Sequence, residues 1–372
     1  MNRILRAVAA GLVLLQILAG CAASSAAPSR SKGHLLIIGG GLDDDVRSIY
    51  ERFIKLASAH GQPRLVLALT ATEEGYDENS EFIAKSGALR AWAPSAPLDV
   101  IRRKSSTAET VAAIDCATGI LFTGGDQARI ASRYRPEGRE TPESLALRRL
   151  LARGGVVAGC SAGDTMMGDF MALQGDNTPA LDAAKNAKKG GLQEFKTGSG
   201  MDFLPWAITE SHFFERDRVA RFVATLEKSG HRLGIGVGEN AAVEVDLVRG
   251  VVIGVSESDS LLLDVALMSR DGNTRRNVRA RLIRQGDRVS LRNLLNWKLP
   301  PPAIKPATPA QTIHITSPSQ SRQLALWRFF MNASQAGSGV WKIRFDEGWQ
   351  ITAWPDRDGW VIFDVSLAPS RT

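Results

Sequence analysis

The sequence predicts an α/β fold, in which a mostly parallel sheet is covered by helices on both faces. Two observations carry this prediction: short, wholly apolar runs alternate with stretches of helical periodicity, and glycine-rich turns follow three of the apolar runs. Strands that are apolar on both sides belong to sheets buried on both faces. Because ligands bind beyond the carboxyl ends of such strands, we expect the turns at 39–41, 124–125 and 159–163 to meet at one cleft.

The predicted elements alternate in order along the first half of the chain. The strands are predicted at 34–38, 65–69, 98–101, 119–123 and 156–158, and the helices at 43–59, 80–89, 108–113 and 145–152. After about residue 230 the pattern changes to short strands separated by turns, at 233–237, 241–245, 251–255 and 281–283. We expect these later strands to form an antiparallel or mixed end of the same domain, which spans 34–297.

Residues 1–20 predict an export signal. Two arginines precede the apolar run 8–18, which is too short to remain as a membrane-spanning helix. Small residues followed by Cys21 are typical of a bacterial lipoprotein processing site. We therefore expect an exported chain that begins at Cys21, carries lipid there and is anchored to a membrane of the cell envelope; an ordinary signal peptide or an uncleaved anchor is the alternative. Residues 21–33 predict a flexible tether.

The C-terminal part predicts a linker and a small α+β module. Residues 298–318 contain six prolines and no periodicity, which indicates a linker. Residues 319–372 predict a helix at 322–332 and a three-strand meander at 341–345, 349–354 and 360–365. Five of the eight tryptophans of the chain fall in this module, and we interpret them as a small aromatic core. A surface that grips a polymer or a partner is the alternative.

Charge and cysteine content exclude some classes of function. The formal net charge is +7, and it falls to +5 without residues 1–20, which hold two arginines and no acids. Seven arginines lie in 275–292, and we interpret them as a solvated surface. No basic stripe is interleaved with aromatic residues, so the sequence does not favour nucleic-acid binding. Cys116 and Cys160 each adjoin a predicted core strand, so we expect buried thiols, with a disulfide between them as the alternative.

The segment 159–163, Gly-Cys-Ser-Ala-Gly, has the pattern of a nucleophile elbow. It follows a buried strand and precedes an apparent helix from Thr165 onward, and its small residues suit a sharp turn that exposes the central serine. Ser161 is therefore the candidate nucleophile, and the amide of Ala162 is a candidate oxyanion donor. Cys160 is a rival nucleophile, but its position in the elbow should direct its side chain away from Ser161.

A serine nucleophile needs a base and an orienting carboxylate. Among five histidines, His212 directly follows the apolar strand 206–208 and so lies at a carboxyl end. Glu239 follows the strand 233–237 in the same way. The pattern alone leaves three other acids open as the carboxylate: Asp164, Asp169 and Glu210.

Two glycine-rich turns need separate interpretation. The turn 123–127 leaves its backbone free to approach a ligand, so it is a candidate second oxyanion donor; a plain tight turn is the alternative. The turn 39–41 lacks the G-x-G-x-x-G spacing and is followed by three aspartates, which would repel a pyrophosphate. We therefore exclude a dinucleotide-binding site there.

Taken in order, these segments resemble the cyanophycinase-type serine peptidases, a family that includes aspartyl dipeptidases. The matching segments are 38–41, 122–127, 159–163, 212–221 and 234–240. The resemblance covers 34–297 and implies a flavodoxin-like fold, like that of the class I glutamine amidotransferases. It also implies cleavage after β-linked aspartyl residues in peptides, including the polymer cyanophycin, and no metal or organic cofactor.

The resemblance implies roles for particular residues. The triad would be Ser161, His212 and Glu239. The oxyanion hole would lie near Gly125, Asp126 and Ala162, and the residues in or beside the substrate pocket would be Gln127, Arg216, Arg218 and Arg221.

The chain departs from the family pattern beside the triad. The family usually has Asp-Gln where this chain has Glu210-Ser211, an acid where it has Gly238, and a threonine where it has Cys160. We therefore expect hydrolysis to be kept, but not cleavage of cyanophycin itself. The alternatives are a binding lipoprotein without turnover, and a serine hydrolase acting on esters or cell-wall peptides. The sequence leaves a homodimer open.

Overall fold

The computed structural model describes residues 32–73, 76–182, 193–298, 301–307, 310–315, 321–336, 338–346 and 348–368. The predicted signal peptide, Cys21 and nearly all of the tether lie outside these residues. Within them, the chain forms an eight-stranded sheet, a nine-stranded sheet and a two-stranded ribbon. No helix in the described ranges is long and apolar enough to cross a membrane.

The elements of the first half are, in order, β1 (His34–Ile38), α1 (Arg47–Ala57), β2 (Leu65–Ala68), α2 (Tyr76–Trp92), β3 (Leu98–Ile101), α3 (Thr107–Cys116), β4 (Gly119–Phe122), α4 (Gln127–Tyr134), α5 (Pro142–Ala152), β5 (Val156–Cys160), α6 (Ala162–Thr165), β6 (Phe170–Gln174) and α7 (Asn177–Leu181). The helix predicted from Thr165 onward is wrong, because the helix of the elbow begins at Ala162 and ends at Thr165.

The elements of the second half are, in order, β7 (Lys196–Ser199), β8 (Ala207–Glu210), α8 (Val219–Ser229), β9 (Leu233–Val237), β10 (Ala242–Asp246), β11 (Val251–Gly254), β12 (Ser260–Asp264), β13 (Ser269–Asp271), β14 (Thr274–Ile283), β15 (Arg288–Ser290), α9 (Leu291–Asn296), β16 (Gln311–Ile315), α10 (Ser321–Gln335), β17 (Trp341–Phe345), β18 (Trp349–Pro355) and β19 (Val361–Leu367). The described residues also include two 3₁₀ turns, Pro136–Gly138 and Arg357–Gly359.

The first sheet confirms the predicted α/β fold. Its order is β15-β11-β10-β1-β5-β4-β2-β3, and the five strands from β1 to β3 in this order are parallel. Every residue of β2, β4 and β5 is buried. One face packs against α1 and α2 and the other against α3, α4 and α5, so both faces are covered.

The second sheet was not predicted as a separate sheet. Its order is β16-β17-β18-β19-β14-β12-β9-β8, and the ninth strand, β13, pairs with β14 off this path. β8 and β9 are parallel, whereas β9, β12, β14 and β19 are antiparallel to one another in turn. The strands expected at one mixed end of the domain are therefore divided between the two sheets, because β10 and β11 join the first sheet and β9 and β14 join the second. Period-two patterns mark strands but do not specify which strands pair.

The C-terminal strands continue the second sheet. β19 pairs with β14, and one apolar core contains Phe222 of α8, Phe330 of α10 and Phe363 of β19. Trp349, Trp354 and Trp360 are buried as expected, but they lie in three separate apolar clusters and not in one small core. The strand β16 lies inside the segment predicted to be an unstructured linker, so that prediction is wrong there. β16 escaped detection because five residues that alternate only weakly follow a proline-rich run. The domain boundaries remain predictions.

The arginines of 275–292 do not form a uniform solvated surface. Arg275 is buried and donates to Glu227, and Arg279 is buried and pairs with Asp356 at 2.9 Å. Arg292 lies over the ring of Trp206. Sequence spacing could not show this, because the acids that pair with Arg275 and Arg279 are distant in the chain. The interpretation is therefore wrong for Arg275 and Arg279, whose buried guanidinium groups bind acids at the second sheet.

The two sheets meet where the glycine-rich turns lie. The turns after β1, β4 and β5 leave the carboxyl ends of the first sheet. His212 follows β8 and Glu239 follows β9, which are paired parallel strands of the second sheet. The candidate site therefore draws its nucleophile from one sheet and its acid–base pair from the other.

Candidate active site

The elbow at 159–163 is a strained turn that only small residues permit. Ser161 has φ 55°, in the left-handed region that serine rarely adopts. A methyl group on Gly159 would lie 2.1 Å from the carbonyl oxygen of Gly163, and one on Gly163 would lie 2.9 Å from Phe122 Cβ. The amide of Ser161 donates to the carbonyl of Ile38 at 3.0 Å. These contacts hold Ser161 at the end of β5.

Three side chains form a hydrogen-bonded line at this turn. Ser161 Oγ lies 2.7 Å from His212 Nε2, and His212 Nδ1 lies 2.6 Å from Glu239 Oε1. The imidazole is buried, whereas the Glu239 side chain is 35% exposed. Because the carboxylate accepts from Nδ1–H, Nε2 is left as the acceptor for the serine hydroxyl.

Of the other three acids considered from the sequence, two have different partners and the third is buried away from His212. Asp169 binds His231 Nε2 at 2.6 Å. Glu210 is fully buried and binds two arginines. Asp164 is fully buried, and its burial raises the pKa of its carboxyl well above the ordinary value. Glu239 is therefore the carboxylate that the structure places against His212.

The turn after β1 is a close-fitting floor under the acid–base pair. A methyl group on Gly40 would lie 2.3 Å from His212 Cε1, and one on Gly41 would lie 2.9 Å from Glu239 Oε2. The amide of His212 donates to the carbonyl of Gly39 at 2.7 Å. The spacing of these glycines excludes a nucleotide role but did not predict their packing against His212 and Glu239. Three adjacent glycines at a strand end were the available signal.

Two of the three predicted oxyanion residues offer an unused amide. The amides of Gly125 and Ala162 make no hydrogen bond within the described residues. A methyl group on Gly124 would lie 3.7 Å from Ser161 Oγ, so this turn lies against the nucleophile. The amide of Asp126 instead donates to the carbonyl of Ala71 at 2.9 Å. Its carboxylate caps α4 by accepting from Ala128, so Asp126 does not supply a free donor.

Comparison with known proteins agrees with this geometry. The sequence model of Peptidase family S51 matches residues 35–249, more than half of the chain. The chain belongs to peptidase family S51. Among its S51 relatives, the cyanophycinase of Synechococcus elongatus is 28% identical over 200 residues, covering 51% of this chain and 58% of that protein. The cyanophycinase of Trichormus variabilis is 30% identical over 146 residues, covering 38% and 44% respectively.

The S51 chain therefore matches less than two thirds of the length of these curated relatives. Among solved structures, a peptidase from an acI-B1 actinobacterium aligns with a TM-score of 0.50 at 15% identity, covering 70% of this chain and 98% of that one. This similarity supports the fold predicted from the sequence.

Three of the four side chains expected in or beside the substrate pocket of this S51 chain are already hydrogen-bonded inside the protein. Arg221 donates to both carboxylate oxygens of Glu210, at 2.7 and 3.0 Å, and Arg218 donates to one of them at 2.8 Å. Burial would raise the pKa of Glu210, but Arg221 and Arg218 hold it below its ordinary value. The Gln127 amide donates to the carbonyls of Ala172 and Leu173 in β6. These contacts give Gln127, Arg218 and Arg221 interior roles, in contrast to the expected pocket roles.

Arg216 differs from these two arginines of the S51 site. It is exposed, and within the described part of the chain it pairs with no acid. Burial, and after it the charge of Arg216, lower the pKa of His212 to about 4, against the opposing effect of its hydrogen bond to Glu239. Arg216 is thus an available positive charge near the catalytic line.

Cys160 is not a competing nucleophile in the S51 site. It is a free, buried thiol, so the alternative disulfide between Cys116 and Cys160 is not formed. Cys116 is only partly buried and is disulfide-bonded, so the expectation of a buried thiol is wrong for that residue. Burial raises the pKa of Cys160 to about 12. Because the thiolate is the reactive form, this thiol is inert near neutral pH. No group of three or more residues suited to holding a metal ion occurs in the described ranges.

Proposed function

We propose that the chain is a serine-type peptidase that cleaves aspartyl peptide bonds through an acyl-enzyme. The observation that carries this proposal is the line from Ser161 through His212 to Glu239, with distances of 2.7 and 2.6 Å, at the meeting point of the two sheets. Membership of family S51 supports the same reaction class.

In the proposed reaction, Ser161 Oγ attacks the peptide carbonyl while its proton passes to His212 Nε2. Glu239 holds the imidazole in the required tautomer and stabilises the imidazolium that forms. The amides of Gly125 and Ala162 are the candidate donors to the oxyanion. His212 then gives its proton to the leaving amine, and a water molecule, activated by His212 in the same way, hydrolyses the ester to Ser161.

The proposed preference for aspartyl substrates depends on Arg216. A guanidinium without an internal carboxylate partner is complementary to a substrate carboxylate. Because Glu210 binds Arg218 and Arg221, the pocket presents one available arginine of the three. This supports a substrate with one free carboxylate beside the scissile bond, as an aspartyl residue linked through its α- or β-carboxyl has. The β-linkage is favoured by the cyanophycinase relatives.

We also propose that the enzyme is exported and anchored through a lipid on Cys21. The support is the apolar run 8–18 and the small residues before Cys21. Mass spectrometry of the N-terminal peptide of the mature protein would distinguish a lipidated Cys21 from an unmodified terminus; an unmodified terminus would refute the anchor.

The function is tested with purified wild type and Ser161→Ala on a panel of α- and β-aspartyl dipeptides, cyanophycin, simple esters and cell-wall peptides. We expect the wild type to cleave β-aspartyl peptides best. Ser161→Ala should lose activity by at least about a thousandfold, because no other group supplies the nucleophile. Best activity on esters or cell-wall peptides would overturn the aspartyl preference. A wild type that neither cleaves the panel nor reacts with a fluorophosphonate at Ser161 would indicate a binding protein.

The low pKa of His212 predicts activity that persists into acid. His212 acts as a base only when neutral, and it is neutral above its pKa, so the rate should fall near pH 4 rather than near the ordinary histidine value of about 6.5. Fluorophosphonate labelling of Ser161 against pH measures this without a peptide. Arg216→Gln removes a nearby positive charge, so its acid limb should move to higher pH.

The exposed Arg276 provides a matched control for Arg216, because it lies in β14 and pairs with Asp271. Arg276→Gln should leave the acid limb where it is. A wild-type limb near pH 6.5, or an Arg216→Gln limb at lower pH, would contradict the predicted shift.

A further inference from the structure

A second set of hydrogen bonds joins the turn after β1 to the residue that follows Glu239. Asn240 Oδ1 accepts from the backbone amide of Asp43 at 2.9 Å, and Asn240 Nδ2 donates to Asp43 Oδ2 at 2.7 Å. The backbone amide of Asn240 also donates to the carbonyl of Gly40 at 3.0 Å. The side-chain amide of Asn240 therefore donates one hydrogen bond to Asp43 and accepts another from it.

This pairing lies directly beside a carboxylate that is only partly buried. The Glu239 side chain is 35% exposed, so the protein interior encloses it on some sides only. Asn240 has φ 54°, a left-handed conformation that asparagine tolerates better than most residues. The direction in which the backbone presents Glu239 is thus fixed by bonds made at residue 240.

Asp43 lies in the same connection between β1 and α1 as Gly40 and Gly41, and these glycines pack against both members of the acid–base pair. Methyl groups on Gly40 and Gly41 would lie 2.3 Å from His212 Cε1 and 2.9 Å from Glu239 Oε2. There is no free space between the turn and these side chains. Any displacement of the turn is therefore passed to His212 or Glu239.

We infer that Asp43 and Asn240 are positioning residues for the reaction, which act together as a clamp that aligns Glu239 with His212. This inference rests on the proposed function, because it assigns a purpose to the alignment. The clamp holds the carboxylate within hydrogen-bonding distance of Nδ1, and through the imidazole it sets the activation of Ser161. Neither residue contacts Ser161 in the described hydrogen bonds.

The test measures the rate at which a fluorophosphonate labels Ser161, which reports nucleophile activation without a substrate. Asn240→Asp sets two carboxylates against each other and should slow labelling by about tenfold or more. In the double variant Asp43→Asn with Asn240→Asp, the amide and the carboxylate exchange places and the pair can form again. We expect this swap to recover most of the wild-type rate, which a general loss of stability would not allow.

Asn240→Gly provides a neutral comparison, because it keeps the left-handed conformation and removes only the amide. Asn277 also has a positive φ, 61°, so Asn277→Gly is its matched control. With rates normalised to folded protein by circular dichroism, slow labelling of Asn240→Gly and wild-type labelling of Asn277→Gly would support the clamp. Wild-type labelling of Asn240→Gly, or no recovery in the swap, would overturn it. A wild type that does not label at all refutes the proposed function instead.

Discussion

Substituting Gly40 by alanine is expected to reduce kcat/KM by at least about a hundredfold while the protein remains folded. The added methyl group would lie 2.3 Å from Cε1 and 2.5 Å from Nε2 of the His212 ring. Because the ring is buried and bonded on both sides, it must leave its position between Ser161 and Glu239. The measurement is steady-state hydrolysis of the best substrate in the panel, together with thermal unfolding.

Gly61→Ala separates this clash from backbone strain. Gly40 and Gly61 have similar angles, φ 117° and φ 132°, but nothing lies within 4 Å of a methyl group on Gly61. Both substitutions should therefore cost about 1–3 kcal/mol of stability through strain, and only Gly40→Ala should lose activity per folded molecule. Equal activity of the two variants would contradict the role of the glycine floor.

Removing the carboxylate of Asp356 is expected to lower the free energy of unfolding by about 3–5 kcal/mol. Asp356 pairs with Arg279 at 2.9 Å, and both side chains are nearly fully buried. The guanidinium lies over the ring of Trp360, 4.5 Å from its centroid. In Asp356→Ala this charge would stay in the interior without its carboxylate, between the main part of the second sheet and its C-terminal strands. Chemical denaturation measures the loss.

Asp271→Ala is the matched control, because Asp271 also pairs with an arginine of β14. Its bond to Arg276 is 2.8 Å long, but the two side chains are 70% and 46% exposed. Exposed ion pairs contribute about 0–1 kcal/mol, so this variant should unfold almost like the wild type. If both variants lost the same stability, the buried pair would not join the C-terminal strands to the rest of the sheet.

The sequence alone was enough to predict the candidate catalytic side chains that lie in or directly after local motifs. The elbow around Ser161 is a contiguous motif. His212 and Glu239 each follow a predicted strand, which indicated that both side chains lie at the carboxyl ends of strands. Without the family resemblance, the sequence did not show which of four acids contacts His212, since all four lie near strand ends or the elbow. The distance between His212 and Glu239 was needed to identify Glu239.

Other features depend on contacts between residues that are distant in the chain. Arg218 and Arg221 were expected to face a substrate, and nothing in their spacing shows that a buried acid in β8 binds them first. The second sheet escaped prediction for the same reason, since β14 pairs Arg275 with Val365. Partner choice over such separations is set by tertiary packing and not by the local pattern.

The catalytic line combines residues from two different sheets, and this affects how the protein is inactivated by heat. The bond between His212 and Glu239 joins residues that follow two paired strands of the second sheet. The bond between Ser161 and His212 crosses to the first sheet. Through Gly40 and Gly41 the first sheet also packs against His212 and Glu239, so a slide of one sheet against the other by about 1 Å would misalign the whole line. Warming can therefore inactivate the enzyme while its circular dichroism spectrum is still that of the native protein.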